Sequence, residues 1–422
     1  MIEIGGFFRA GLLAAIATIG ATALPAEEIP AAPPGEVGMS SERLREIDAV
    51  MQRHIDSGKV QGAVTAVARR GKVVHFMAHG LMDVERGRAM QEDAIFRMAS
   101  SSKPVLGVAA MMLIEEGLLS PTDEVAAYLP EFRDMQVAVL KEPADRDVSP
   151  LYVAKGKVPE HRLVPAERAI TVHHLLTHTS GLASEGLGSA IAELPEQGPA
   201  ATLASRVPLY AGMPLDFQPG TRWAYSARVG HDVVARLIEV VSGLPYDEFV
   251  RTRILEPLGM TDTHFILPPE KESRRVVIHG LDAKAKGWDD PTRYISASGG
   301  LSSTAADYLR FEQMLANGGT LFGKRLLSPR SVATMSGNQV GELFGQDGKQ
   351  SGWGFGYAVA VLLDPVAAKS GRGQGAFGWG GAFGTTTWTD PELEVTAVLM
   401  VQQGSEGVVR DFENAIRAAI ID

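Results

Sequence analysis

The chain has 422 residues, 45% apolar and 21% charged, enough for one large globular domain or two ordinary ones. A net charge of −10 lacks the basic footprint of nucleic-acid binding, so no nucleic-acid partner is expected. With no cysteine, disulfides, thiolate zinc sites, a cysteine nucleophile and a lipoprotein anchor are all excluded.

At the N-terminus, Phe7-Phe8-Arg9 precedes an uncharged run over residues 10–26, with Ala21-Thr22-Ala23 as a small-x-small cleavage site. Residues 1–26 resemble a secretory signal peptide, which predicts export to the periplasm or medium, with cytoplasmic residence as the alternative. The run is short and rich in Ala, Gly and Thr, and nothing later is long and apolar enough to span a bilayer, so no stable membrane span is expected. Residues 27–40, inside "PAEEIPAAPPGEVGMS", read as an extended Pro-rich linker.

From residue 41 the pattern becomes globular. "SSERLREIDAVMQRHIDSG" places Leu44, Ile47, Val50, Met51 and Ile55 at helical spacing and stops at Gly58. "GAVTAVARRGKVVHFMAHG" is rich in β-branched residues and turns at Arg70-Gly71, a hairpin signal. The middle of the chain is more helical: "HDVVARLIEVVSG" has an apolar stripe ending at Gly243, and "STAADYLRFEQMLANGG" runs from a Thr304-x-x-Asp307 capping signal to Gly318. Near the C-terminus, "WGFGYAVAVLL" reads as a strand and "TTTWTDPELEVTAVLMVQ" as a hairpin turning at Asp390-Pro391. "EGVVRDFENAIRAAI" is a closing helix with Val409, Phe412, Ile416 and Ile420 on one stripe.

Strands at both ends with helices between predict an α/β (α+β) fold. Its antiparallel sheet would come from the N- and C-terminal segments, residues 41–98 and about 295–422, flanked by helices. A mostly helical region, about 99–294, would be inserted.

"ASSSKPVLGVAAMMLIEEGLLS" opens a helix whose Val105, Val108, Ala109, Met112 and Leu113 follow a buried stripe, and Pro104 fits only the first turn. The serines therefore lie at a helix N-terminus, where free N–H groups favour developing negative charge. Ser100 stands three residues before Lys103, so hydroxyl and amine share a face. Ser101 would need a base at Pro104, and Ser102 points elsewhere. The plain reading is an N-cap serine beside a solvated lysine. The catalytic one requires a second proton carrier and an oxyanion hole. Tyr225, in "PGTRWAYSARVGHDVV", is either core or a phenolic proton shuttle. Trp379-Gly380-Gly381, in "AFGWGGAFGTTTWTD", marks a bulge or a strand that a ligand approaches closely, and Ala382 could offer its N–H to an oxyanion.

Ser100-x-x-Lys103, "ITVHHLLTHTSGL" (170–182), "PGTRWAYS" (219–226), "SGGLSSTAADYLRFEQMLANGG" (298–319) and "GWGFGY" (352–357), in that order and spacing, resemble the serine β-lactamase and penicillin-binding-protein superfamily. The similarity runs from about residue 41 to the end. It is greatest to the family VIII carboxylesterases of class C β-lactamase fold, whose third motif often reads W-G-G. The resemblance implies a serine carboxylesterase acting on a small-molecule ester of short to medium chain. Ser100 would be the nucleophile, with Lys103 and Tyr225 as the proton-transfer pair, either of them the base. The N–H groups of Ser100 and Ala382 would form the oxyanion hole, and Trp379, Gly380 and Gly381 would contact substrate.

Two departures bear on substrate. Tyr225-Ser226-Ala227 lacks the Asn that holds an amide side chain in β-lactamases and DD-peptidases. Trp379 replaces the cation that attracts a substrate carboxylate. Neutral esters are therefore expected over anionic β-lactams, with weak β-lactam turnover possible. The alternatives are a class C-like β-lactamase or DD-peptidase, and less readily a non-catalytic penicillin-binding-like protein.

No metal or cofactor is expected. His174 and His178 lie one helical turn apart but lack the glutamate of zinc proteases, so His178 reads as packed or capping. No G-x-S-x-G, P-loop or dinucleotide fingerprint is present.

Overall fold

The computed structural model describes residues 27–141, 157–192, 200–279, 294–346, 350–404 and 407–422, with 153, 198 and 348 standing alone between them. The segment read as a signal peptide lies outside the described residues.

In chain order, α1 is Glu46–Asp56, β1 Gly62–Arg69, β2 Lys72–Asp83, β3 Arg88–Ala89 and α2 Lys103–Glu115. They are followed by α3 (Gly230–Ser242), α4 (Ala305–Ala316), β4 (Trp353–Phe355), β5 (Ala360–Leu362), β6 (Phe377–Gly380), β7 (Thr386–Asp390), β8 (Val395–Met400) and α5 (Val408–Ala419). The strands form one antiparallel sheet in the order β4-β5-β6-β7-β8-β1-β2-β3. The two ends of the chain meet at its centre, where Thr65 of β1 pairs with Leu399 of β8. This is the expected sheet, and the helices flank it.

The alternation of side chains along β1 explains the two-sided packing. Val64, Ala66 and Ala68 join the large core containing α2, α3 and α4. Ala63 and Val67 join the second core, built with α1 and α5, in which Trp388 meets Phe412 edge-on at 5.6 Å. Every residue of β1 is buried. Helix ends follow their sequence signals: Gly243 takes φ +72° beyond α3, and the Thr304 hydroxyl accepts from Asp307 N before α4.

Three features differ from the sequence reading. The stretch read as an extended linker is tied to the domain. Ala32 N donates to Val73 O and Val73 N to Pro30 O, and Val37 and Met39 are buried in the second core. Its apolar residues outweigh the extending tendency of its prolines. "WGFGYAVAVLL" is not one strand but the pair β4–β5, broken where Gly356 lies so close to Met335 O that a Cβ would stand 2.1 Å from it. The inserted region also holds a two-stranded ribbon, Gln136–Leu140 with His161–Pro165.

Candidate active site

Ser100 sits in a 3₁₀ turn, Ala99–Ser102, that runs directly into α2. Ala99 has φ +44°, an unfavourable backbone for a residue with a Cβ, costing about 1 kcal/mol or more. The surroundings hold the turn in place. Ser101 Oγ pairs with Thr385 Oγ1 at 3.0 Å, Tyr308 OH donates to Ser101 O, and Ser102 Oγ accepts from Leu301 N at 3.1 Å. Two of the three serines are thus fixed by structural hydrogen bonds.

Ser100 Oγ faces the other way. Lys103 Nζ donates to it at 3.1 Å and Tyr225 OH at 2.7 Å. The lysine is 1% exposed, and its other two donors go to carbonyls, Ala227 O at 3.0 Å and Ser298 O at 2.6 Å. Desolvation, the largest influence, pushes its ammonium below the ordinary lysine range. Once neutral, the amine keeps both carbonyl bonds and turns its lone pair on Ser100.

Tyr225 is held by its neighbours. Ser226 N donates to His178 Nδ1 and Ala224 N to His178 O, and the His178 ring meets the Tyr225 ring at 4.8 Å. His178 takes φ +58° and is 1% exposed. It is packed, as expected, but its contacts lie under the tyrosine. His231, fully buried, lies 4.5 Å from His178, centroid to centroid, and burial pushes both imidazoles far down, so they are neutral. His173 and His174 are engaged separately: His173 Nδ1 lies 3.3 Å from Tyr357 OH, and His174 Nδ1 accepts from Thr171 N.

Trp379 Nε1 donates to Tyr225 OH at 3.3 Å. Gly381 is pressed against the serine turn: a Cβ there would stand 2.3 Å from Met98 O and from Thr385 Oγ1. A glycine is therefore required for the end of β6 to approach the turn, which brings residues 380–382 beside Ser100. Trp223, Phe344 and Phe355 extend the aromatic wall beyond Trp379.

Sequence reasoning missed one supporting residue. Asp232, 1% exposed near the start of α3, accepts from Tyr294 OH at 2.6 Å, Ser296 Oγ at 3.1 Å and Ser298 N at 2.9 Å. It thereby fixes the carbonyl that receives Lys103. The available signal was weak: an acidic residue in the first turn of α3, a place where acidic residues commonly sit against the helix dipole.

An antiparallel sheet flanked by helices, with a serine, lysine and tyrosine converging at the start of a buried helix, defines a β-lactamase-like serine hydrolase fold. A model of the Beta-lactamase family matches residues 47–420, and the chain belongs to that family. An uncharacterized protein of Mycobacterium tuberculosis is 36% identical over 82% of this chain and 87% of its own length. Esterase EstB of Burkholderia gladioli is 31% identical over 89% of this chain and 94% of its own. Among solved structures, EstCE1, described as a hydrolase with promiscuous acyltransferase activity, superposes with a TM-score of 0.71 at 27% identity. That match covers 89% of this chain and 99% of EstCE1. Within its superfamily the chain is a carboxylic ester hydrolase of the family VIII type.

Proposed function

We propose that the protein hydrolyses neutral carboxylic esters of short to medium acyl chain through an acyl-enzyme on Ser100. The observation that carries this reading is the convergence of Lys103 Nζ and Tyr225 OH on Ser100 Oγ, with the lysine's other donors committed to carbonyls. Neutral Lys103 takes the hydroxyl proton as Oγ attacks the ester carbon. The N–H groups of Ser100 and Ala382 stabilise the tetrahedral oxyanion. As the C–O bond breaks, the proton passes through Tyr225 to the departing alkoxide, which leaves as the alcohol. Water then attacks the acyl-enzyme, gives a proton to the same pair, and Ser100 leaves with a proton restored to Oγ. Trp379, Gly380 and Gly381 contact the substrate.

Selectivity for neutral esters rests on Ala227 and Trp379, which offer neither an amide nor a cation, and on the aromatic wall. The esterase name of EstB and the hydrolase description of EstCE1 support the ester reading. The composition of residues 1–26 favours an exported enzyme.

The test is a panel of short and long chromogenic esters, a chromogenic cephalosporin and a D-Ala-D-Ala peptide, run on wild type and Ser100→Ala. Fast ester hydrolysis that falls roughly 10⁴-fold or more in the variant is expected. A higher kcat/KM for the cephalosporin or the peptide overturns the reading.

A further inference from the structure

On the far face of the sheet from Ser100, a second polar cluster lies between α1 and the β1–β2 hairpin. Thr65 of β1 points into the α1 side of the sheet and is fully buried. Its hydroxyl lies 2.8 Å from His75 Nε2 and 2.9 Å from His79 Nε2, so the two rings of β2 converge on one point. The rings stack with centroids 6.4 Å apart. From α1, Asp48 brings Oδ1 to 3.9 Å from His79 Nε2. That oxygen is buried and has no hydrogen-bond partner among the described residues. One ligand atom from each of Asp48, His75 and His79 lies within 4.8 Å of the other two. Among the described residues this is the one group of three such side chains close enough to share an ion.

Hydrogen bonding alone leaves the cluster incompletely satisfied. A threonine hydroxyl carries one proton, so it donates to one ring nitrogen and must accept from the other. Asp48 Oδ1 is then left facing His79 without a hydrogen bond, and an unmatched buried oxygen is costly. A divalent cation resolves this. It takes a lone pair from each imidazole and the carboxylate charge, leaving a fourth position for Thr65 Oγ1 or water.

We propose that Asp48, His75 and His79 form a zinc site that ties α1 to β2. Two imidazoles and a carboxylate are a ligand set that zinc favours, with bonds of about 2.0–2.2 Å. Tetrahedral bonds of that length place ligand atoms about 3.4 Å apart, so the separations between them close by roughly 0.5 Å for Asp48 and His79 and by no more than about 1.4 Å for any pair. Asp48, with a side chain 39% exposed, is free to make most of that movement. The site lies across the sheet from Ser100 and takes no part in ester hydrolysis. Its role is to hold α1 against the hairpin.

The full-length protein, stripped with chelator and dialysed, is titrated with zinc chloride by calorimetry, and its thermal midpoint is followed against zinc concentration. One equivalent of zinc and a midpoint that climbs with zinc are expected. His79→Gln and Asp48→Asn should each weaken binding by about tenfold or more and flatten the thermal response. Asp48→Asn sits at the partly exposed edge and preserves shape, so it keeps the test readable should His79→Gln fold poorly. Wild-type protein that binds no zinc, or folded variants that bind it as tightly as wild type, overturns the proposal.

Discussion

Two buried cations in this molecule have opposite surroundings. Arg372, 8% exposed, is matched by a carboxylate: its Nε donates to Glu413 Oε1 at 2.9 Å, and its guanidinium lies 4.1 Å from the Trp388 ring centroid. Lys103, 1% exposed, is surrounded by neutral oxygens, namely the Ser100 hydroxyl and the carbonyls of Ala227 and Ser298. Among the described residues no carboxylate lies within ion-pair distance of its nitrogen. Burying a charge requires either a counter-charge or loss of the charge. Arg372 has the first and serves the fold. Lys103 is given the second: desolvation lowers its pKa, which is what the base role proposed for it requires. In the proposed mechanism Lys103 acts as a base because it is denied the partner that Arg372 has.

Lys103→Arg is the most direct way to break that contrast. Arginine keeps the positive charge, still donates to the carbonyls, and never gives up its proton. If charge alone mattered, activity would largely persist. If a deprotonated base is needed, kcat/KM for a chromogenic ester should fall about 10²–10⁴-fold with the fold intact by circular dichroism. A loss smaller than tenfold would remove Lys103 from the role of base.

The two halves of this comparison differ in how far the sequence discloses them. Ser100 and Lys103 are legible because i and i+3 on one helix face need no knowledge of the rest of the chain. Tyr225 and Trp379 are legible as motif members, but the 3.3 Å contact between them depends on a strand closing over a loop 154 residues away. The carbonyls of Ala227 and Ser298 are invisible in sequence, since every residue has one and only the tertiary fold aims it. Asp232 is hidden for the same reason, its partners lying 62 to 66 residues downstream. The sheet and its flanking helices follow from periodicity and capping. The β4–β5 break does not, because it turns on Ala358 at φ +63°, a conformation alanine rarely adopts.

On the structural side, Arg372→Met keeps the bulk of the side chain and leaves Glu413 with Ser370 Oγ, at 3.1 Å, among its remaining contacts. The stranded carboxylate should destabilise the protein by about 3–5 kcal/mol in chemical denaturation, with kcat per folded molecule unchanged. The double variant Arg372→Met/Glu413→Leu should recover most of that loss, because neither charge is then buried. A drop in kcat at unchanged stability would mean that the two cations are not separable in the way proposed.

Asp232→Asn sharpens the Lys103 half with the smallest effect. The carboxylate receives three donors, from Tyr294, Ser296 and Ser298, whereas an amide accepts at one oxygen and turns N–H groups toward the rest. The Ser298 carbonyl should lose its fixed position and kcat fall roughly tenfold, with KM nearly constant because substrate does not touch this residue. The pH profile supplies a readout that loosened packing alone would not move. Asp232 raises the lysine's pKa through space, opposing the dominant desolvation. Removing its charge should lower that pKa further. With neutral Lys103 as the active form in the proposed mechanism, the rising acid limb of kcat/KM should move to lower pH in Asp232→Asn. A limb that stays in place or moves upward would show that Asp232 supports the loop without sensing the base.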